Sequence, residues 1–134
     1  MWKGYERRER TVMKREIAPY ASINSRGEIA LNGTALGLLH GAINVVLYYD
    51  PTLERIGIRG ATQQDHGEHI FGARPYGRGG RMRVLRARRF LRKFGVRVEQ
   101  TLRFTKFTRE SGPMLVLDLS SAVPIDSKIA DSQT

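Results

Sequence analysis

The chain has 134 residues, of which 40% are hydrophobic and 27% are charged, and it contains no cysteine. This composition fits one compact globular domain, and it excludes disulfides, zinc fingers and other thiolate-ligated metal sites. The formal net charge is +10, which indicates an anionic partner. No apolar run reaches the ~20 residues that span a bilayer, and the charged start lacks the apolar segment of a secretory signal. We therefore expect a cytoplasmic protein without a membrane partner.

Residues 1–19 are predicted to form a charged N-terminal arm, and residues 20–60 to form a first β-α-β-β unit. The first turn of this unit contains Gly27, which is free to adopt positive φ. Its helix begins after Asn32, a residue type that suits the N-cap position. The predicted elements are strands at 20–23 and 29–31, a helix at 34–40 ended by Gly41, and strands at 43–49 and 54–59 joined by a turn at 50–52.

The segment 61–80 is predicted to be a Gly-rich linker, because it is polar and contains many glycines. A second, basic β-α-β-β unit follows over 81–119, and a flexible tail over 120–134. The predicted elements of the second unit are a strand at 82–85, a helix at 86–94 with Ala87, Phe90, Leu91 and Phe94 facing inward, and strands at 98–107 and 114–119.

The two units repeat one order of elements. Gly41 and Gly95 each end a short helix and lie 54 residues apart, and Leu31 falls on Leu85 at the same offset. Because few identities support the repeat, it reflects either a duplication or a shared element order alone. In both cases the predicted fold class is mainly β with short helices.

The excess positive charge is confined to one part of the second half. Between Arg74 and Arg109, 36 residues include thirteen Arg and Lys and one acid, Glu99, so the window carries a net charge of +12. Arginine dominates, and its planar fork fits phosphate groups and guanine edges. We therefore predict nucleic acid as the partner. The predicted contact residues are Arg26 in the first turn, Arg74, Arg78, Arg81 and Arg83 near the glycines, Arg86, Arg88, Arg89, Arg92 and Lys93 on the helix, and Arg103 and Lys106 on the next strand.

Each of these cationic groups also has a purely structural interpretation. The basic helix can be a solvated face, although cations at i, i+3 and i+4 repel one another by ~0.2–0.5 kcal/mol per pair. The Gly-rich segment can be a basic joint, and the turn at Arg26 an ordinary hairpin turn. The strand cations can protect an exposed strand from aggregation.

A specific order of motifs runs through residues 21–60. It consists of Ile23-Asn24-Ser25-Arg26-Gly27-Glu28-Ile29-Ala30-Leu31, the helix Ala35 to Gly41, and the hairpin Val45 to Ile58. This order resembles the AbrB-like, MraZ-type swapped-hairpin domain. Two features differ from that family: Asn32-Gly33 stands where a proline is usual, and Ala42 where an acid is usual.

The resemblance implies a small swapped-hairpin-like barrel made from two interleaved halves, which come from two chains or from two repeats in one chain. Residues 81–119 would then be a divergent second copy. The resemblance also implies a homodimer or higher oligomer that binds DNA rather than RNA, through arginines on the ribbon and its loops. This favours an operator-binding or sequence-tolerant transcriptional regulator.

Enzymatic chemistry has no support in the sequence. The chain lacks the phosphate-binding GxxxxGK[ST] motif, the GxSxG nucleophile elbow and the HExxH metal motif. Asp65, His66, Glu68 and His69 have metal-ligating types but lie in a polar loop. We therefore expect no enzyme activity, cofactor or metal. The alternatives to a DNA-binding regulator are an RNA-binding or ribosome-associated factor, and a protein-interaction module such as an antitoxin or a phage-type inhibitor.

Overall fold

The computed structural model describes residues 17–110 and 114–125, which form short strands and two short helices. In chain order the elements are β1 (Ala21–Ile23), β2 (Glu28–Leu31), α1 (Gly33–Gly37), β3 (Asn44–Asp50), β4 (Arg55–Gly60), β5 (Ile70–Gly72), β6 (Arg74–Tyr76), a 3₁₀ turn (Arg78–Gly80), β7 (Met82–Arg86), α2 (Arg88–Lys93), β8 (Thr101–Phe104), β9 (Thr108–Glu110), β10 (Met114–Asp118), a second 3₁₀ turn (Leu119–Ser121) and β11 (Val123–Ile125). The predicted class, mainly β with short helices, is confirmed.

The strands form two antiparallel sheets that share one hydrophobic core. The first sheet has the order β11-β8-β1-β2-β7-β6, and the second has the order β5-β3-β4-β10-β9. Within the described residues, the strand pairings run in these two linear orders. Each edge strand of the first sheet contains a proline, Pro75 in β6 and Pro124 in β11. No helix in the described ranges has the length and apolar character needed to cross a membrane.

The first hairpin shows why the predicted pattern folds as it does. Ile23 and Ile29 lie opposite each other and are fully buried, because alternate residues of a strand face the same side. Asn24 closes the turn, since its Oδ1 accepts the N–H groups of Arg26 and Glu28, each at 3.0 Å. Gly27 takes a φ of +83°, as predicted for a glycine in this turn.

Both helices are shorter than predicted, and the predicted N-cap of α1 is confirmed. Asn32 is the N-cap of α1, and its Oδ1 accepts the Ala35 N–H at 2.9 Å. A left-handed residue follows each helix, His40 (φ 59°) after α1 and Gly95 (φ 70°) after α2. In both cases the N–H of the next residue donates a hydrogen bond to the carbonyl oxygen five residues earlier in the chain. Gly95 therefore corresponds to His40, one residue before the predicted Gly41.

The predicted linker and tail contain ordered strands. Within 61–80, β5 joins the second sheet through Phe71, which is buried opposite Val45, and β6 joins the first sheet. In the predicted tail, β11 pairs with β8. These strands have only three residues each and lie in segments rich in glycine or serine, so the sequence showed no strand pattern there. The rest of these predictions, for 1–16 and 126–134, falls outside the described residues.

The predicted strand at 98–107 is wrong in length and pairing. Only Thr101–Phe104 is a strand, and it pairs with β1 instead of forming a ribbon with 114–119. The chain then crosses to the second sheet, where β9 and β10 form the hairpin. Phe104 faces the core from the first sheet, and Phe107 packs against the same core beyond the end of β8.

The pairing of β2 with β7 joins the two units around a common centre. Ala30 lies opposite Val84, and these residues are 54 apart, which is the offset of the sequence repeat. The hairpin β1–β2 then corresponds to β6–β7, and β3–β4 to β9–β10. The units are therefore joined through corresponding strands at the centre of the first sheet.

Replacing Gly27 with alanine tests the contact between the first turn and α2. A Cβ atom at Gly27 would lie 2.7 Å from the Cα and Cβ of Arg88, in addition to the strain of its positive φ. We expect Gly27→Ala to lower the free energy of unfolding by about 2–4 kcal/mol. Gly41→Ala is the control, because Gly41 has a φ of +67° but no atom within 4 Å of the added Cβ. We expect about 1 kcal/mol there. Urea unfolding of both variants measures the difference, and equal losses would contradict a tight contact.

Candidate nucleic-acid interface

The outer face of the first sheet carries two exposed arginines in one row of paired residues. Paired residues of adjacent strands share a face, and the pairings align Arg103, Ser22, Ala30, Val84 and Arg74 across five strands. Arg103 and Arg74 are exposed, and the residues between them are small. Four strand spacings of about 4.8 Å separate the two arginine backbones by about 19 Å. The row is thus a shallow platform with Arg74 at its β6 end and Arg103 on β8, next to Val123 of the edge strand β11.

A second row of paired residues on this face contains Glu28, the one acidic residue in the described strands of the first sheet. Glu28 lies opposite Arg86, and its Oε1 is 3.1 Å from Nη2 of Arg26. The Asn24 side chain and Arg26 donate hydrogen bonds that lower the pKa of Glu28, and the charge of Arg86 acts in the same direction. Glu28 therefore stays ionised, and it orients Arg26 at the margin of the platform. We call Arg26, Arg74, Arg86 and Arg103 the basic sheet face.

The buried side of α2 divides the predicted basic helix into two flanks. Phe90 and Leu91 face the core. On one flank, Arg89 donates a 2.5 Å hydrogen bond to the carbonyl oxygen of Glu68, and its guanidinium lies 4.9 Å from the centre of the Phe71 ring. Lys93 forms an ion pair with the Glu68 carboxylate, which lowers the pKa of that carboxyl group. This flank is engaged with the protein itself.

The other flank of α2 faces a cleft of about 290 Å³. Arg88 and Arg92 lie one helical turn apart on this side, and Arg97 joins them from the segment after the helix. The opposite wall is the turn between β1 and β2, including Gly27. The five predicted helix cations thus lie in three places, since Arg86 belongs to the basic sheet face.

The remaining predicted contact residues are spread around the first sheet. Arg81 is exposed after the first 3₁₀ turn, whereas Arg83 is half-buried because it lies opposite Leu31 on the inward side of β7. The Arg78 backbone begins that 3₁₀ turn, and its side chain is outside the described structure. Lys106 is exposed between β8 and β9. Phe107, the residue after Lys106, packs against the core.

The acid–histidine loop is organised by ion pairs. Arg59 binds Asp65 through two hydrogen bonds of 2.9 and 3.1 Å, and it also donates to the Tyr48 hydroxyl at 2.6 Å. The bonds from Arg59 and from the Thr62 N–H lower the pKa of Asp65 well below its usual range. Among the residues that the structure describes, no three acidic or histidine side chains are grouped to hold a metal ion.

The positive charge is unevenly divided between the two sheets. Strands of the first sheet contain Arg74, Arg83, Arg86 and Arg103 against Glu28, whereas strands of the second sheet contain three arginines and three acids. Over 17–110 and 114–125, the following cations have no carboxylate within ion-pair distance: Arg74, Arg81, Arg83, Arg86, Arg88, Arg92, Arg97, Arg103 and Lys106. The unneutralised charge therefore belongs to the first sheet and to the segments beside it.

Sequence reasoning missed three side chains of this region. Tyr76 is 62% exposed in β6 and shares the outer face with Arg74. Arg97 and Glu99 line the cleft beside α2. Arg97 lies in the basic window and was detectable by charge, whereas the position of Glu99 depends on the fold.

Compared with protein-family models, curated proteins and solved structures, the chain shows no match.

The Arg59–Asp65 pair predicts an acid-dependent loss of stability. The pKa of Asp65 is lowered in the folded protein, so its contribution is present above the ordinary value of 3.8 and disappears as the pH falls through the folded pKa. We expect Asp65→Asn to melt at a lower temperature than the parent protein at about pH 7, with the difference shrinking below about pH 4. Glu54→Gln is the control, because Glu54 makes no side-chain ion pair within the described ranges. A difference that persisted unchanged to about pH 2 would contradict the assignment.

Proposed function

We propose that the protein binds nucleic acid through the basic sheet face and that duplex DNA is its preferred partner. The observation that carries the proposal is the row that contains Arg74 and Arg103, which are both exposed and without carboxylate partners in the described ranges. Cations about 19 Å apart fit an extended polyanion better than a single small anion.

The shape between these arginines also favours a polymer. Ser22 and Ala30 are small, so the backbone of a nucleic acid can approach the sheet without displacing large side chains. Sheets and ribbons are established elements for reading DNA grooves. Arg26 and Arg86 extend the positive surface beside this central strip.

The choice of DNA and of a regulatory role is supported by the resemblance of residues 21–60 to AbrB-like domains. Two hairpin–helix–hairpin units arranged about a common centre are compatible with that proposed relationship. We accordingly propose a transcriptional regulator, acting as a homo-oligomer in the cytoplasm, without enzymatic activity. The contact residues in this proposal are the basic sheet face with Arg81 and Lys106 at its margins.

An RNA-binding factor is the second candidate, and one observation favours it. Tyr76 is exposed on the same outer face as Arg74, and aromatic side chains on sheet faces stack against unpaired bases. A Tyr76→Ala variant, titrated with duplex DNA, duplex RNA and single-stranded RNA, separates the candidates. Duplex DNA as the strongest ligand, with little effect of Tyr76→Ala, supports the first proposal. Tighter single-stranded RNA binding that depends on Tyr76 supports the second.

The salt dependence of binding tests the role of the paired arginines. If about six phosphates are neutralised, affinity for duplex DNA should fall by about three decades between 50 and 200 mM salt. We expect Arg74→Gln with Arg103→Gln to weaken binding roughly tenfold and to lower the log–log salt slope by about two, because each arginine contacts one phosphate. Fluorescence anisotropy over a salt series measures both quantities.

The matched control adds the same negative charge elsewhere. Gln63 and Gln64 are exposed in the loop after β4 of the second sheet, and Gln63→Glu with Gln64→Glu changes the net charge by the same amount as the arginine variant. We expect the salt slope of this control to match the parent protein. Equal weakening in both variants, or binding that ignores salt, would contradict the proposed interface.

A further inference from the structure

The cleft beside α2 differs in shape and chemistry from the shallow basic sheet face. Its volume of about 290 Å³ lies at the small end of ligand-binding sites, which are roughly 300–1,000 Å³. One wall is the turn between β1 and β2, and the other is α2 with the segment 96–99. A concave site of this size suits a small molecule more than the convex surface of a duplex.

Three arginines converge on this cleft without a carboxylate partner. Arg88 and Arg92 are four residues apart on α2, so their Cβ atoms are about 6 Å apart and both guanidinium groups can reach one phosphate. Arg97 lines the same space. All three are exposed, and within 17–110 and 114–125 none forms an ion pair.

The rest of the lining is not suited to a bare anion. Leu91, Val96 and Val98 supply an apolar side, and Glu99 supplies a carboxylate. A carboxylate repels free phosphate, but it accepts hydrogen bonds from sugar hydroxyls or amino groups. The combination therefore fits a ligand that has a phosphate at one end and a hydroxylated, partly apolar body.

The walls of the cleft are fixed by the fold before any ligand binds. The Gly27 carbonyl accepts the Ala87 N–H at 2.9 Å, which ties the first turn to the start of α2. The Asn24 side chain holds that turn through three hydrogen bonds. At the other end of α2, Val96 donates to the Leu91 carbonyl at 2.9 Å. A preformed site loses less entropy on binding than one that must order its loops.

We infer that this cleft is a binding site for a small phosphorylated ligand of the mononucleotide type, with the phosphate on Arg88, Arg92 and Arg97 and the sugar hydroxyls on Glu99. None of the four arginines of the basic sheet face lines the cleft, although Arg26 lies in the turn that forms one wall, and the inference does not rest on the proposed function. The same chemistry is offered by a free nucleotide and by the phosphorylated end of a nucleic-acid strand.

Titration of the full chain with four small probes tests the inference. The probes are adenosine 5′-monophosphate, ribose 5-phosphate, inorganic phosphate and adenosine, followed by ¹H–¹⁵N chemical shifts. We expect both sugar phosphates to bind more tightly than inorganic phosphate, and adenosine to bind most weakly. Arg88→Gln with Arg92→Gln should weaken adenosine 5′-monophosphate at least tenfold, whereas Arg74→Gln with Arg103→Gln should change it less than twofold. Arg97→Gln repeats the test outside the helix.

Glu99→Gln examines the sugar-binding side of the site. We expect the ratio of the affinities for ribose 5-phosphate and inorganic phosphate to fall at least threefold. Free phosphate is no longer repelled in this variant, and a charged acceptor for the sugar hydroxyls is lost.

An oligonucleotide with a 5′-phosphate, compared with its unphosphorylated form, distinguishes a strand end from a free nucleotide. Tighter binding of the phosphorylated oligonucleotide than of adenosine 5′-monophosphate identifies the strand end as the source, and the reverse identifies the free nucleotide.

Three results would overturn the inference. They are no shifts with either sugar phosphate at millimolar concentration, equal weakening in the helix and sheet-face variants, and an unchanged ligand preference in Glu99→Gln. Duplex DNA binding, measured on the same preparations, keeps the two proposals distinct. Duplex binding without nucleotide binding removes only the cleft, and nucleotide binding without duplex binding removes only the sheet-face proposal.

Discussion

The antiparallel pairing of β2 with β7 is the interaction on which the rest of the molecule depends. It joins the halves of the chain into one six-stranded sheet, centred on Ala30 and Val84. Because α2 follows β7 directly, the same pairing brings Arg88 against the Gly27 turn. This register fixes the centre of the platform and one wall of the cleft, whereas the split of the basic helix also needs the contact of α2 with Glu68. A shift by one residue would turn Leu85 out of the core and Arg86 into it.

Much of the local structure could be predicted from the sequence, because local chemistry determines it. The Asn32 cap, the Gly27 turn and the apolar stripe of α2 are set by residues close to each other in the chain. The pairing of distant strands could not be predicted, since a three-residue strand such as β5 or β11 carries almost no periodic signal. The break between β8 and β9 was missed because Phe104 and Phe107 both face the core, but from different elements.

The positive charge of the candidate site could be predicted from the sequence, but the arrangement of its side chains could not. Counting arginines locates the basic window, but it does not show that Arg89 and Lys93 are engaged with Glu68 while Arg92 is not. That distinction depends on which helix flank meets the loop before β5, a tertiary contact between residues more than twenty positions apart. Similarly, the carboxylate of Glu99 joins the arginines only because the segment after α2 turns back at Gly95.

The prolines in the two edge strands disfavour extension of the first sheet beyond its six strands. Pro75 and Pro124 offer no N–H, so an additional strand laid along either margin would lose a ladder hydrogen bond. Strand pairing between copies of the chain at these edges is therefore disfavoured. Each first sheet remains about 24 Å wide between its outermost strands. Growth of a continuous fibre by strand pairing at these two edges is accordingly disfavoured.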